Sequence, residues 1–427
     1  MNKLFFQIEP LVYSKKAGSS FLFYNEINNK HILLENINDL YTLNVLKRLF
    51  DPRNNGIVEL KSINFENNPT FSYFIEKARE INIGHLLQCK MKPIQISTLF
   101  KLPNDFHLEK MNDIKRSKDV MRNLREITIY INETGYSLDG FNRTHRQFLF
   151  PISGDKSEIS LEVIERICSE ICDFDYLKMI NVIGGNISKH SKINDIIKCL
   201  DRSKCRKTYH FVFDVEMHND AAFVNSILSN IDNYLIIYFL RINNNILQDY
   251  SEVINFINEV NISRVTFCNI VSTEKDIKLL NSVHNAYNKQ NLNIRILPYF
   301  NGHNISFFKN NVFVNKRDIL YSKYNVEKLI SNRYINSNFF GRLIIDTKGN
   351  IYSNINKKKI GNVVTDSFHK IIYSEINQRS AWFLTRHNVS PCNTCILNEL
   401  CPPVSNYELS FQRFNLCKIV DCENKIA

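Results

Sequence analysis

Short apolar runs alternate with helical periodicity along the middle of this 427-residue chain. A strand is predicted where apolar residues stand together, and a helix where they recur every three or four positions. The predicted strands cover residues 127–131, 179–183, 209–213, 235–239, 265–270 and 294–297, and helices are predicted between them at 159–173, 218–230, 247–260 and 273–290. This alternation predicts a parallel sheet covered by helices, either an open sheet or a partial (βα)6 barrel.

Both ends of the chain have a different order of elements. Residues 1–90 are typical of a small α+β unit, and residues 91–124 are polar, basic and interrupted by prolines, as in a linker. The N-terminal predictions are a hairpin of 21–24 with 32–34, a helix over 40–50, a strand at 57–60 and a second helix from 69 to about 87. After the central region (125–330), residues 335–427 predict a hairpin over 343–352, a helix around 367–382 and then a cysteine-rich segment.

Composition narrows the class of protein. With 44% hydrophobic and 23% charged residues the chain is globular rather than disordered. Its longest uncharged apolar run, Tyr234–Leu240, is too short for a membrane helix. The apolar run at the start of the sequence is too short for a signal peptide. We therefore expect a cytoplasmic protein without a membrane partner. The net charge of +11 is spread along a chain rich in Asn, Lys and Ile. The sequence has no basic stripe with interleaved aromatic residues, so we do not expect nucleic-acid binding.

Five of the eleven cysteines follow residue 391, and four of them have the spacing Cys392-x2-Cys395-x5-Cys401-x15-Cys417. Four thiolates suit a tetrahedral zinc or an iron–sulfur cluster, and the spacing alone leaves these two equal. A reducing cytosol disfavours disulfides. We interpret Cys422 as a spare thiol and the six earlier cysteines as small core residues.

The residues around these cysteines resemble a known family. Phe340–Asn354, Ile360–Val363, the run from Cys392 to Glu408, and Asn415-Leu416-Cys417 together resemble the SPASM domain over about 90 residues. That domain follows the barrel of radical SAM peptide-maturation enzymes and carries auxiliary [4Fe–4S] clusters. The resemblance implies one [4Fe–4S] cluster on Cys392, Cys395, Cys401 and Cys417, with zinc as the alternative.

The resemblance extends to the central region, but the catalytic motif is missing. In radical SAM enzymes a Cys-x3-Cys-x2-Cys loop after the first barrel strand holds the cluster that cleaves S-adenosylmethionine. Those three positions align with Tyr136, Gly140 and Arg143, and no cysteine lies between Cys89 and Cys168. Where the family has Gly-Gly-Glu contacting the methionyl amine, this chain has Gly184-Gly185-Asn186. Binding of S-adenosylmethionine is therefore not expected.

A second cluster site also looks lost. The auxiliary cluster nearer the barrel needs cysteines at positions that correspond to Asn354 and Ser405. The resemblance thus implies that two cluster sites have lost all their cysteine ligands, while the third has kept all four. This pattern resembles a pseudo-radical-SAM partner of a Gly-Gly-type ribosomal peptide maturation (RiPP) system such as bacteriocin biosynthesis. The expected function is a non-catalytic accessory protein that binds a precursor (leader) peptide, a true radical SAM maturase, or both.

The N-terminal unit has an order compatible with the winged-helix element that captures leader peptides by strand addition, with Phe21–Tyr24 as candidate edge and Leu40–Phe50 as candidate helix. A plain capping domain is the alternative. Two other functions stay open: an enzyme with remodelled chemistry in a polar pocket near Tyr136, Asn186 and His303, and a zinc-stabilised scaffold. Further candidates at strand ends are His145, Arg146, Asp214 and residues 298–303.

Overall fold

The computed structural model describes residues 3–60, 68–95, 118–133, 146–148, 157–171, 174–213, 226–229, 231–260, 264–287 and 292–419, and the structural statements concern these residues. The strands are β1 (Lys3–Ile8), β2 (Val12–Ala17), β3 (Ser20–Asn25), β4 (Lys30–Leu34), β5 (Ile57–Leu60), β6 (Gly84–Cys89), β7 (Glu126–Tyr130), β8 (Met179–Ile183), β9 (Arg206–Phe213), β10 (Tyr234–Arg241), β11 (Val265–Val271), β12 (Asn293–Pro298), β13 (Arg342–Ile345), β14 (Asn350–Tyr352) and β15 (Gly361–Asn362).

The helices are α1 (Leu40–Leu49), α2 (Pro69–Glu80), α3 (Leu161–Ile171), α4 (Ile193–Leu200), α5 (Ile246–Val260), α6 (Glu274–Tyr287), α7 (Ile305–Asn311), α8 (Lys316–Leu320), α9 (Val326–Tyr334), α10 (Phe368–Gln378) and α11 (Asn406–Phe411). No helix in the described part of the chain combines the length and apolar character that crossing a lipid bilayer requires.

A nine-stranded sheet forms the centre of the molecule, in the order β12-β11-β10-β9-β8-β7-β13-β14-β15. Strands β7 to β12 are parallel and lie side by side in sequence order. All six strands predicted for the central region are confirmed, as are the predicted helices that became α3, α5 and α6. The structure is therefore mixed α/β with a parallel central sheet.

The two faces of this sheet carry different side chains because successive residues of a strand point to opposite faces. One face packs against the helices through alternate apolar residues such as Ile127, Ile129 and Phe211, in one large core. We call the opposite face the inner face. It carries the intervening residues, among them Val212, Ile237 and Phe239, which form a separate apolar cluster.

The C-terminal region completes the central sheet. Strand β13 lies parallel to β7, with Arg342 opposite Glu126, and turns back into the antiparallel strand β14, which confirms the predicted hairpin. The carboxylate of Asp346 holds this turn by accepting hydrogen bonds from the backbone N–H groups of Lys348 and Asn350 at 2.9 and 2.8 Å. The hairpin is thus part of the sheet and not an appended module.

The N-terminal unit contains two three-stranded sheets, β5-β1-β6 and β2-β3-β4, packed with α1 and α2 around a phenylalanine-rich core. The predicted 21–24/32–34 hairpin and the 40–50 helix are confirmed as β3–β4 and α1. The prediction of Phe21–Tyr24 as a sheet edge is wrong, because β3 is hydrogen-bonded on both sides, to β2 and β4.

The predicted second helix is too long. It ends at Glu80, because Asn82 has a left-handed φ of 55°, and the chain then forms β6 along β1. Close packing explains the glycine that begins β6, since a Cβ on Gly84 would lie 2.4 Å from the Gln7 carbonyl oxygen. The end of the expected linker is also structured, as Val120 and Leu124 are buried in the main core.

One face of the β2-β3-β4 sheet is docked onto the C-terminal half of the chain. Tyr13, Leu22 and Tyr24 share an apolar cluster with residues of α8, α9 and the 395–401 segment. The hydroxyl of Tyr24 accepts a hydrogen bond from the backbone N–H of Tyr324 at 3.0 Å. The N-terminal unit is therefore seated beside the cysteine-rich segment.

Candidate functional site

The carboxyl ends of the central strands are where side chains of a parallel α/β sheet meet a ligand. Of the residues predicted there, Tyr136, Gly140, Arg143, His145 and Asp214 lie outside the described residues. The ends of β7, β8 and β12 are described, and so are the hairpin and the cysteine segment.

At the end of β8, Asn132 holds the Gly184-Gly185-Asn186 turn closed. Its side chain donates to the Asn186 carbonyl at 2.8 Å and accepts from the Gly185 N–H at 2.9 Å. A Cβ on Gly184 would lie 2.2 Å from the Asn132 Oδ1 atom, so glycine is needed there. The Asn186 side chain is itself turned into the turn, where it accepts from Ser188, and the residue is only 2% exposed.

Aromatic rings pack against the inner face at this end of the sheet. Phe148 lies 6.2 Å from Tyr407 of α11 and 6.4 Å from Tyr299, measured between ring centroids. Phe148 and Tyr299 belong to the same buried cluster as Phe239 and Ile270 of the strands, and Tyr407 packs against it. The Tyr407 hydroxyl donates to the Pro298 carbonyl at 2.9 Å, which ties α11 to the end of β12.

The described residues next to Phe148 are fixed by backbone and amide hydrogen bonds. Gln147 both donates to the Phe300 carbonyl at 2.7 Å and accepts from the Phe300 N–H at 2.8 Å. The Asn406 side chain donates to the carbonyls of Arg146 and Gln147 at 2.8 and 3.0 Å. Residues 146–148 therefore join the end of β12 to the C-terminal region. His303, which was predicted to line a pocket at this end of the sheet, is exposed in the loop after β12.

The two positions expected to have lost a cluster, Asn354 and Ser405, are each hydrogen-bonded to another polar side chain. Asn354 donates to the Asn406 side chain at 3.0 Å, directly beside Ser405. Ser405 begins α11 as its N-cap and shares a capping box with Glu408. An amide and a hydroxyl group occupy these two positions, and each is already hydrogen-bonded to a neighbouring side chain.

A charged group lies at the end of β7. The Arg146 guanidinium is 3.6 Å from the Glu133 carboxylate and stands over the Tyr130 ring at 5.8 Å. Burial raises the pKa of Tyr130 well above its usual value, so its hydroxyl stays protonated. Arg146 therefore contacts both the carboxylate and the aromatic ring at this end of β7.

The four predicted ligand cysteines come from neighbouring segments of the C-terminal region. Cys392 lies in a 3-10 turn that ends at Cys395, and Cys401 follows the Leu397 turn, since its N–H donates to the Leu397 carbonyl at 2.8 Å. Cys417 forms a parallel bridge with Val314. The Cys417 thiol lies within electrostatic reach of the other three thiols.

Burial raises the pKa of the Cys392 thiol to about 11 and that of Cys401 to about 12, while the Arg386 guanidinium lowers both. Arg386 donates to the Cys392 sulfur at 3.7 Å, and the Leu397 N–H donates to the Cys395 sulfur at 3.4 Å. Buried thiols with N–H donors aimed at sulfur are the surroundings that thiolate ligands of a metal require.

No three His, Cys, Asp or Glu side chains in the described ranges form a ready metal-ligand group. The Cys392 thiol, for example, donates to the Phe414 carbonyl at 3.1 Å and would have to turn away from it to bind a metal. The donor set nevertheless fits a soft metal or a cluster, because it has four thiols, and no disulfide joins the cysteines that the structure describes.

Two buried ion-pair groups flank the cysteines. Arg386 forms a bidentate pair with Glu408, at 2.5 and 3.0 Å, and both side chains are almost fully buried. In the second group, the Glu399 carboxylate contacts Lys15, Arg333 and His387 at 3.5, 2.7 and 3.0 Å. Burial alone would raise the pKa of Glu399, but hydrogen bonds from His387 and Arg333 outweigh it and hold the pKa at about 2.

Sequence reasoning missed both of these groups. Glu399 and Glu408 are acids in a cysteine-rich, Pro-containing segment, which is a weak signal for buried partners. Nothing in the local sequence around Lys15 indicates that its side chain reaches residue 399, because the contact joins positions nearly the whole chain apart.

No protein-family model and no curated protein matches this sequence. Among solved structures it is similar to Streptococcus suis SuiB bound to S-adenosylmethionine, with 15% identity over 97% of this chain and 100% of that chain and a TM-score of 0.39. It is also similar to SuiB bound to the precursor peptide SuiA, with 13% identity over 98% of this chain and 100% of that chain and a TM-score of 0.41. A third similar structure is hexahistidine-tagged anSMEcpe with bound AdoMet, with 10% identity over 68% of this chain and 95% of that chain and a TM-score of 0.44. At these values the likeness does not identify the side chains that act in this chain.

Proposed function

We propose that this chain is a non-catalytic accessory protein of a peptide maturation pathway, with a pseudo-radical-SAM partial barrel and a SPASM-type domain that holds one [4Fe–4S] cluster on Cys392, Cys395, Cys401 and Cys417. The observation that carries the proposal is the aromatic packing of the described residues on the inner face. Phe148, Tyr299 and Tyr407 occupy the end of the sheet where a catalytic site would need room for its substrate.

The missing cysteines support the same conclusion. Positions 136, 140 and 143 carry no thiol, and Asn186, which stands where the family has a glutamate, directs its side chain to Ser188. Asn354 bonds to Asn406 and Ser405 bonds to Glu408, and neither side chain is a thiol that could bind a cluster. The alternative, an enzyme with different chemistry, requires a polar pocket at the carboxyl ends of the central strands. The aromatic packing of the described residues there counts against it.

The N-terminal unit is the proposed peptide-binding element. Strand β4 lies at an edge of the β2-β3-β4 sheet, and α2 packs beside it. Exposed apolar side chains lie on the neighbouring helices, Leu40 at 73% and Tyr73 at 54% exposure. We place strand addition of a leader peptide at β4, in place of the central strand β3.

The experiment is anaerobic reconstitution with iron and sulfide, followed by incubation with dithionite and S-adenosylmethionine. We expect one cluster per chain, its loss in Cys392→Ala, and no 5′-deoxyadenosine. Production of 5′-deoxyadenosine by the purified protein would refute the non-catalytic assignment. Stoichiometric zinc in protein purified without oxygen would instead favour the zinc-stabilised scaffold.

Peptide binding is tested separately with an array of synthetic leader peptides. Leu33→Pro removes an N–H from the β4 edge and should abolish binding if a peptide adds there, whereas the exposed substitution Lys16→Ala on β2 should not. Binding that survives Leu33→Pro would exclude strand addition at β4.

A further inference from the structure

A cavity of about 250 Å³ lies at the amino ends of β9 and β10, at the end of the sheet opposite the aromatic cluster of Phe148. Its walls come from the loop between α4 and β9, from the start of β9 and from the residues that precede β10. The volume is just below the range of about 300–1,000 Å³ that is typical of pockets for drug-sized ligands. The cavity therefore has the size for a small metabolite, and it is separate from the candidate site described above.

The side chain of Asn233 holds this cavity in shape. Its Nδ2 atom donates to the Lys207 carbonyl at 2.9 Å and to the Thr208 hydroxyl at 2.7 Å. Its Oδ1 atom accepts from the Arg264 guanidinium at 3.1 Å. The Lys207 ammonium group donates to the Ser203 carbonyl and so closes the loop between α4 and β9. Because contacts within the protein hold the walls, the cavity does not need a ligand to form.

One buried hydroxyl of the cavity wall lacks a partner. Tyr209 lines the cavity and is only 2% exposed, and its hydroxyl oxygen has no hydrogen-bond partner among the described residues. A buried hydroxyl without a partner costs stability, and phenylalanine would fill the same space without this cost. The hydroxyl of Tyr209 can therefore bond to a polar group of a ligand in the cavity.

The charged side chains around the cavity are balanced. Asp201 and Asp232 are exposed, and neither has an ion-pair partner in the part of the chain that the structure describes. Arg206 and Lys207 contribute two positive charges from the start of β9. A ligand with both an ammonium and a carboxylate group complements this lining better than a simple cation or a simple anion does.

We propose that this cavity binds a small free amino acid with an aliphatic side chain. The ligand carboxylate accepts a hydrogen bond from the Tyr209 hydroxyl beside the basic side chains of β9, and the ammonium group pairs with Asp201 or Asp232. Ile231, which is buried, supplies an apolar wall for the side chain of the ligand. The proposal does not depend on the proposed function, because none of these residues belongs to the cysteine segment or to the N-terminal unit.

The test uses the full chain with L-leucine, L-methionine and L-valine. A ligand that binds the folded chain raises its melting temperature as the ligand concentration increases, and calorimetry then gives the Kd. We expect binding of at least one of the three. The amide of the best ligand lacks the carboxylate, and its deaminated acid lacks the ammonium group. Each of these analogues should bind about tenfold more weakly, since each loses a charge-assisted contact.

Variants locate the binding site. Tyr209→Phe should weaken binding about tenfold without lowering the melting temperature of the ligand-free chain, because it removes only an unpartnered hydroxyl. Asp201→Asn combined with Asp232→Asn should weaken binding at least as much. The matched control is Asp175→Asn combined with Asp195→Asn, which removes two exposed carboxylates that do not line the cavity.

Three results would overturn the proposal. The first is that none of the three amino acids raises the melting temperature at millimolar concentration. The second is an unchanged Kd in both cavity variants, which would place the binding elsewhere on the protein. The third is an amide or a deaminated acid that binds as tightly as its parent amino acid, which would exclude recognition of a zwitterion.

Discussion

Glu375 allows a quantitative test of the packing in the C-terminal region. The side chain is fully buried on α10, and its Oε1 atom accepts a hydrogen bond from the Trp382 N–H at 2.9 Å, while the Oε2 atom is also shielded from solvent. Burial raises the pKa of Glu375 to about 7, although the bond from Trp382 and the charge of Lys357 act in the opposite direction.

The sign of the effect follows from linkage. A carboxyl group whose pKa is higher in the folded than in the unfolded chain stabilises the fold when it is protonated. That stability is complete below the unfolded value of 4.5 and is lost as the pH rises through about 7. At about 1.4 kcal/mol per pKa unit, the change amounts to about 3 kcal/mol.

Glu375→Gln replaces the protonated acid with a neutral group of the same shape that still accepts the Trp382 bond. We expect the variant to match the wild type near pH 4.5 and to exceed its free energy of unfolding by about 3 kcal/mol at pH 8.5. Trp382 is the only tryptophan and is fully buried, so its fluorescence reports urea unfolding of this region.

The matched control is Glu165→Gln, which removes a carboxylate from an exposed position on α3 and should follow the wild type at every pH. The reasoning would be refuted if the curves of Glu375→Gln and wild type ran parallel between pH 4.5 and 8.5. A parallel course would mean that Glu375 is charged in the fold throughout this range.

Three further substitutions test the site. Gly184→Ala should lower stability by about 1–3 kcal/mol, since the new methyl group would lie 2.2 Å from the Asn132 oxygen; an unchanged melting temperature would show that Asn132 moves aside freely. Arg386→Met should cost about 3–5 kcal/mol in urea unfolding by leaving the Glu408 carboxylate buried without its cationic partner, and adding Glu408→Met should recover most of it; a double variant as unstable as the single one would contradict this. Phe148→Ala should cost about 3–5 kcal/mol by opening a cavity on the inner face, and a loss below about 1 kcal/mol would mean that the ring is not part of that core.

The central sheet was predictable because strands such as β7 and β11 are buried on both faces and read as continuous apolar runs. The N-terminal unit was harder. Strand β2 contains Lys15-Lys16, and half of its residues are only partly buried, so no apolar run indicates it. Strand β6 follows α2 after a short turn, and its Leu86-Leu87 pair continues the helical spacing of α2.

In the candidate site, too, some features could be predicted from the sequence and others could not. Ligand spacing is a local property, so the cysteine set and its missing counterparts are visible in the sequence. The neighbours of Glu399 are not, because Lys15, Arg333 and His387 come from three different parts of the fold and meet only after packing. Side chains that converge over long distances leave no periodic signal.

The pairing of β13 with β7 has a consequence for how the chain is made. The residues opposite each other, Glu126 and Arg342, are separated by most of the central region. At roughly 5–20 residues per second, a ribosome needs about 10–40 seconds between them. During that interval β7 has an unpaired side that can recruit another nascent chain, so a strand that is internal in the finished sheet stays open on one side until β13 has been made.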